Sequence, residues 1–409
     1  MSTRPLTGIR ILDLTRVLAG PLASQMLGDM GAEVIKVERP GHGDDSRIYG
    51  EPYLTDTEGR RTKENAFYLS ANRNKKSVTL NIASAEGQAL VRRLVAKCDV
   101  LLENYKVGDL KRYGLDYQSL KEINPRLIYC SITGFGQDGP YAKRPGYDAI
   151  FQAMGGLMSV TGLPDGQPGA GPMKTGPSIA DVLASLNVSS AVLGALYHRD
   201  AHGGEGQYID VALLDSMIAA MSHYAQIHLV SGEVPIRRGT QGNGGMPAAM
   251  FPTADGPIVI TAGNDVQYAR LCNAAGRPDL LTDERFRSNA DRVRNRDALT
   301  VIFNEIFLAR PRAEWLELLD KADVPSGPVY DMAEAFTDPQ VEHRGVRVEV
   351  DHPLGQKLSL VRNPIRYSGT PLDSYAPPPM FGQHTDDVLE TLLGVDAKHR
   401  EDLRAAGVI

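Results

Sequence analysis

An α/β fold built on a parallel sheet, followed by a smaller α+β domain, is what this 409-residue sequence predicts. Three observations carry that expectation. Short apolar runs of strand length alternate with helical stretches between residues 8 and 134, the rhythm of successive βαβ units. A long helical stretch from about 178 to 199 is apolar on nearly every side, as a helix buried all round would be. A polar, Gly-rich break, "RRGTQGNGGMP" at 237–247, then separates this region from a chain with a more charged rhythm. The length suggests two or three folding units, with enough chain for a large core.

In chain order, "GIRILDL" (8–14) reads as the first strand, "PLASQMLGDMG" (21–31) as a helix stopped by glycine, and "EVIKVER" (33–39) as the second strand. The pattern continues with a strand at "SVTLNI" (77–82) and a helix over "SAEGQALVRRLVAKC" (84–98). Strands follow at "DVLLENY" (99–105) and "RLIYCSITG" (126–134). After the long apolar helix, "GGEGQYIDVALL" (203–214) gives a turn and a strand, and a helical stretch runs to about residue 230. Beyond the Gly-rich break come a strand, "PIVITAG" (257–263), and charged amphipathic helices to about residue 322. Strand-like alternation over 346–368 leads to a Pro-rich segment at 375–385 and a helix near 386–394.

The bulk numbers narrow the function. The chain is 42% hydrophobic and 23% charged, with 41 Gly and 26 Pro, which fits a loop-rich globular protein rather than a disordered or fibrous one. A net charge of −6 gives no general attraction to nucleic acid or to an anionic membrane, while local basic spots can still hold a phosphate-bearing metabolite. No run reaches the 18 or so unbroken apolar residues of a membrane span, and Arg10 and Asp13 break the apolar stretch that a signal peptide needs. Cys98, Cys130 and Cys272 are few, far apart and odd in number, so free thiols and a cytoplasmic location are expected.

One acid stands out. Between Lys174 and Arg199 the only formal charge is the carboxylate of Asp181, at the head of the apolar helix. "SIAD" (178–181) matches a helix capping box, so Asp181 has a structural reading. The same first-turn position also lies at the positive end of the helix dipole, which favours an ionised, nucleophilic carboxylate. "ERPGHGDDSR" (38–47) follows a strand and brings Arg39, but lacks the spacing of a dinucleotide loop. "NRNKKSVTLN" (72–81) is a basic loop suited to phosphates or to solvent. "ENYKVGDLKRYG" (103–114) places Asn104, Tyr105, Lys106 and Arg112 after a strand, where α/β sheets bind ligands. "HRDAHGGEG" (198–206) reads as a charged turn rather than a metal site, and no metal is expected elsewhere. "GNGG" (242–245) is either a linking turn or a lid over a site.

Taken together, the blocks at 13–47, 72–81, 101–105, 131–162 and 178–199, with "GQHTDDVLE" at 382–390, resemble the class III CoA-transferases of the CaiB/BaiF family. The blocks "TRVLAGP", "EVIKVERPG", "NRNKKS", "YCSITG" and "GQHT" are most similar to the family's dicarboxylate branch, the succinyl-CoA:glutarate transferases. The resemblance implies an interlocked homodimer whose Rossmann-like large domain, with its parallel sheet, takes both ends of each chain. Its boundaries would be 1–200 with 346–409 for the CoA-binding domain and 236–325 for the small α+β domain, with linkers at 201–235 and 326–345. It implies Asp181 as the catalytic residue and CoA contacts at Val17, Ala19, Arg39, Asn72, Lys75, Asn104, Tyr105, Lys106, Arg112 and Tyr147. Gly242, Gly244 and Gly245 would form the active-site lid.

The implied reaction moves CoA from a donor acyl-CoA such as succinyl-CoA to a carboxylic acid, through aspartyl anhydride and aspartyl-CoA thioester intermediates, with no prosthetic group. Leu18 stands where formyl-CoA transferases carry glutamine, and Pro145 where they carry lysine, which turns the expectation away from formate and oxalate. Two alternatives stay open. The family's 2-methylacyl-CoA racemases use a histidine where Tyr147 stands here, and a phenol is a poor general base at neutral pH. A non-catalytic CoA-binding dimer would have no use for a lone acid beside the CoA loops.

Overall fold

A computed structural model describes residues 3–242 and 244–409. The chain divides into two compact units, one running to Leu157 and taking in Thr175–Val230 and His343–Ile409, the other made of Met158–Lys174 and Ser231–Glu342.

The first unit is organised by six parallel strands: β1 (Arg10–Asp13), β2 (Glu33–Glu38), β5 (Lys75–Thr79), β6 (Val100–Glu103), β7 (Ile128–Thr133) and β8 (Tyr208–Ala212). A short antiparallel pair, β3 (Tyr53–Thr55) and β4 (Arg61–Asn65), is inserted between β2 and β5. The order across the sheet, β5-β2-β1-β6-β7-β8, is that of a doubly wound dinucleotide-type fold. Every residue of β6 and β7 is buried, which is why these strands read as largely apolar runs up to Glu103 at the end of β6. Leu12, Ile35, Val78, Leu101 and Tyr129 share one core cluster with Leu90, Val91 and Leu94 of the Ala85–Val95 helix. The C-terminal segment docks on the same unit: His384 N–H donates to the Ser77 carbonyl at 2.9 Å, and Asn81 N–H to that of Val408 at 2.8 Å. Val388, Leu389, Leu403 and Ile409 complete the cluster.

The long helix runs from Ile179 to His198 and is not buried all round. Ala180, Ala184, Val188, Val192 and Ala195 form its buried stripe, while Leu186 and Tyr197 are exposed. Its small residues let it pack closely on neighbouring helices. By length and composition this helix does reach what a membrane crossing needs, because a few polar residues interrupt the run without lowering its average; its buried stripe is that of a core helix.

In the second unit β9 (Ala248–Pro252), β10 (Pro257–Thr261) and β11 (Ser326–Pro328) form an antiparallel sheet. Phe251, Phe303, Phe307 and Trp315 stack beside it, and the buried Arg292 guanidinium donates to the carbonyls of Met246, Phe286 and Gly263. The last pair, β12 (Arg347–Asp351) and β13 (Lys357–Val361), packs on Leu69 in the first unit.

These assignments move the expected boundaries. Residues 201–235 are not a bare linker, since β8 extends the large sheet by pairing with β7. Nor do 326–345 stand apart, since β11 completes the small sheet. Residues 158–174, expected in the large domain, cluster with the second unit.

Candidate active site

In a sheet of this order the chain leaves the two central strands in opposite directions, and a crevice opens beyond their C-terminal ends. Here those strands are β1 and β6. The loops that follow them are laced together: Arg16 N–H donates to Asn104 Oδ1 at 3.0 Å, and Asn104 Nδ2 donates to the Arg16 carbonyl at 2.8 Å. A cavity of about 360 Å3 lies over this junction. Val17, Ala19, Asn104, Tyr105, Lys106, Tyr147 and Asp181, separated by up to 164 positions in sequence, all line it.

Asp181 sits in the first turn of its helix, partly buried. The capping box does not form, because the Ser178 side chain makes no cap hydrogen bond. Instead the backbone N–H of Ala19, the first residue of the Ala19–Asp29 helix, lies near the Asp181 carboxylate and favours its charged form. The acid therefore lies in the first turn of one helix and against the N-terminus of another, where free N–H groups favour negative charge. Burial works the other way and dominates, and the neighbouring Asp148 carboxylate adds to it, so the Asp181 carboxyl titrates at about 7. Near neutral pH it is divided between carboxylic acid and carboxylate. A carboxylate so poorly solvated is more reactive toward a carbonyl than one in water.

Asp148, which the sequence reading passed over, is the residue that places Asp181. It opens the Asp148–Met154 helix, and its Oδ1 accepts the N–H of Ala180 at 2.8 Å, capping the Asp181 helix from outside. Gln152 Nε2 holds its other oxygen at 2.6 Å, and Gln152 Oε1 accepts Thr175 N–H at 2.9 Å. The signal was available: an acid directly after the Gly-Tyr pair of "RPGYDAIF", at a helix start.

The loop before Ala19 carries strain. Val17 has φ of +73°, a conformation that a β-branched residue adopts only when its surroundings impose it. What imposes it is Asp44, whose Oδ1 accepts Val17 N–H at 3.0 Å while its Oδ2 lies 2.7 Å from Lys36 Nζ. Burial opposes the charge on Asp44, but Lys36 outweighs it and holds the carboxyl down to about 2.

Asn72 and Lys75 are not brought to the cavity. Both are buried: Lys75 Nζ donates to Asn72 Oδ1 at 3.0 Å, to the Pro21 carbonyl at 2.8 Å and to Asp13 Oδ2 at 3.2 Å. Their side chains brace the loop between β1 and the first helix from behind. Arg39 and Arg112 line a second cavity, of about 420 Å3, which shares Arg16, Asp45 and Tyr105 with the first. Gly242, Gly244 and Gly245 belong to the second unit, where Gly242 N–H donates to the Ala248 carbonyl at 3.0 Å; Asn243 lies outside the described residues. In the "HRDAHGGEG" turn, Asp200 pairs with Arg199 at 2.8 Å and with Arg126 at 3.0 Å, the behaviour of a charged surface turn.

Comparison with known proteins places the chain among them. The chain is 45% identical over 388 residues to a succinate--glutarate CoA-transferase of Agrobacterium fabrum, covering 95% of this chain and 96% of that one. It is 41% identical over 406 residues to a human succinyl-CoA:glutarate CoA-transferase, covering 99% and 90%. A crystal structure of a CaiB/BaiF family protein from Brucella suis superposes with a TM-score of 0.85 at 43% identity, over 96% of this chain and all of the other. The profile of CoA-transferase family III matches residues 6–385, and the chain belongs to that family.

Proposed function

We propose that the protein moves CoA between succinate and glutarate, or a dicarboxylate of similar length, with Asp181 as the covalent carrier. The observation that carries this reading is the Asp181 carboxylate: partly buried, near the Ala19 N–H, and lining one cavity with six of the residues expected to meet CoA. The relatives that match nearly end to end bear the names of succinate–glutarate transferases, which supports the substrate class.

The chemistry follows from a carboxylate nucleophile. Asp181 attacks the thioester carbonyl of succinyl-CoA, the C–S bond breaks, and a mixed anhydride and CoA thiolate result. The thiolate attacks the aspartyl carbonyl, releasing succinate and leaving an aspartyl-CoA thioester. Glutarate's carboxylate opens that thioester to a second anhydride. The thiolate then attacks the glutaryl carbonyl, forming glutaryl-CoA and restoring the Asp181 carboxylate. Each intermediate keeps the activation of the first thioester, so no energy source enters. The Ala19 N–H faces the carboxyl group on which charge shifts at every step. Gly242, Gly244 and Gly245 are proposed to lie in a lid that keeps water from the anhydrides, and two copies of the chain are proposed to form the working dimer. The three cysteines are free and buried, in keeping with a reducing compartment such as the cytoplasm.

The test is covalent trapping. Protein incubated with succinyl-CoA and then hydroxylamine should carry a hydroxamate on the peptide containing Asp181, and mass spectrometry of an acid panel should show glutaryl-CoA among the products. A label on another residue, or no new CoA ester with any acid, overturns the reading. The racemase alternative makes an opposite prediction: solvent deuterium would enter the α-carbon of a branched acyl-CoA at a catalytic rate, whereas the transferase reading expects none.

A further inference from the structure

Arg16 occupies a position that neither the sequence motifs nor the expected CoA contacts assign. It lines both the Asp181 cavity and the cavity of Arg39 and Arg112, so anything reaching from one to the other passes it. Its backbone is fixed on both sides by Asn104, while its guanidinium lies 5.2 Å from the centre of the Tyr105 ring. One nitrogen, Nη1, meets Asp45 Oδ2 at 2.9 Å; another, Nε, is buried and has no hydrogen-bond partner. The pair with Asp45 is nearly half exposed on both sides, a type that contributes little to stability. Asp45 itself follows Asp44, which Lys36 and the Val17 N–H pin in place.

We propose that Asp45 is an internal stand-in for the diphosphate of the bound acyl-CoA: it parks Arg16 at the passage between the two cavities until the diphosphate takes the guanidinium over. A phosphate offers several acceptor oxygens to the arginine fork, including one for the orphaned Nε, where Asp45 satisfies Nη1 alone. Binding is thereby coupled to release of an acid from the site. The inference rests on the CoA reading above, and its test is separable from it.

Isothermal titration with free CoA and with pantetheine, which lacks the nucleotide and the diphosphate, reads the effect without turnover. Arg16→Gln should weaken CoA binding by about 10- to 100-fold, the loss of charged hydrogen bonds, and pantetheine binding by far less. Asp45→Asn should tighten CoA about 2- to 5-fold by freeing the arginine. In the Arg16→Gln background the same Asp45→Asn change should give no gain, because there is no guanidinium left to free. Equal weakening of CoA and pantetheine by Arg16→Gln, or the same gain from Asp45→Asn in both backgrounds, overturns the proposal. Wild-type protein that binds no CoA overturns the functional reading instead.

Discussion

At the scale of single residues, the outcome turns on what burial does to Asp181. A carboxyl that titrates at about 7 in the folded chain, against about 3.9 when unfolded, keeps a proton in the folded state that the unfolded state has already lost. Between those values stability therefore falls as pH rises, and above 7 the penalty is constant. Asparagine does not titrate, yet it keeps an oxygen toward the Ala19 N–H. Asp181→Asn should thus abolish transfer, with kcat down by several powers of ten, while making the empty protein more stable by up to about 4 kcal/mol at pH 8 and by almost nothing at pH 4. Thermal melts at the two pH values, set beside the assay, check both halves; a variant equally or less stable at pH 8 contradicts the buried-acid account. In the wild type, kcat/KM should rise with pH through about 7. Asp148→Asn keeps an oxygen for the Ala180 N–H but removes the like charge, so the midpoint of that rise should move down. A midpoint that stays in place shows that Asp148 acts only as a cap. Asp181 was legible in the sequence because a lone acid in an apolar helix is conspicuous. Asp148 left only a weaker signal, an acid at a helix start, since its role depends on two helices meeting across 32 positions.

At the scale of elements, glycines separate packing from permissiveness. In the predicted lid, a Cβ at Gly244 meets nothing within 4 Å, whereas a Cβ at Gly245 would lie 2.5 Å from the Gly263 Cα and 2.7 Å from its carbonyl oxygen. Backbone pressed on backbone cannot step aside as a side chain can. Gly245→Ala should therefore destabilise the protein by about 2 kcal/mol or more, while Gly244→Ala should change stability by less than about 0.5 kcal/mol. Denaturant titration of both variants decides the matter, and any lid function is cleanly tested only at Gly244. The strands at the centre of the large sheet were readable because they are buried and largely apolar, and all six because they alternate with helices. β11 was not, because "SGP" carries no strand signal and becomes a strand only by pairing with β10. The placement of Asn72 and Lys75 was not legible for a related reason: a basic loop looks the same in sequence whether it faces a phosphate or, as Lys75 does here, a buried aspartate.

At the scale of the whole molecule, the chain taken alone leaves apolar surface without an explanation. The His223–Ser231 helix has no buried residue, and Leu229 and Val230, each about three-quarters exposed, stand at its end. A nine-residue helix is too short to be stable in water by its own propensity, so it needs a surface to pack on. Leu186 and Tyr197 are likewise exposed on the outer side of the Asp181 helix, opposite its buried stripe. Single exposed apolar residues are ordinary, but a whole helix without a buried side is not. In the dimer proposed above, a second copy of the chain would cover these surfaces, as the interlocked arrangement that the family resemblance implies requires. Light scattering should accordingly give twice the chain mass across the working concentration range. If the chains interlock, mixed tagged and untagged dimers should fail to exchange subunits over days under native conditions and exchange freely once unfolded and refolded together. Charged substitutions at Leu229 and Val230 should lower the mass toward the monomer or leave the chain insoluble, because they place charge on the apolar surface that a second copy would cover. A native protein that scatters as a monomer, or dimers that exchange within minutes, would show that these surfaces are covered in some other way.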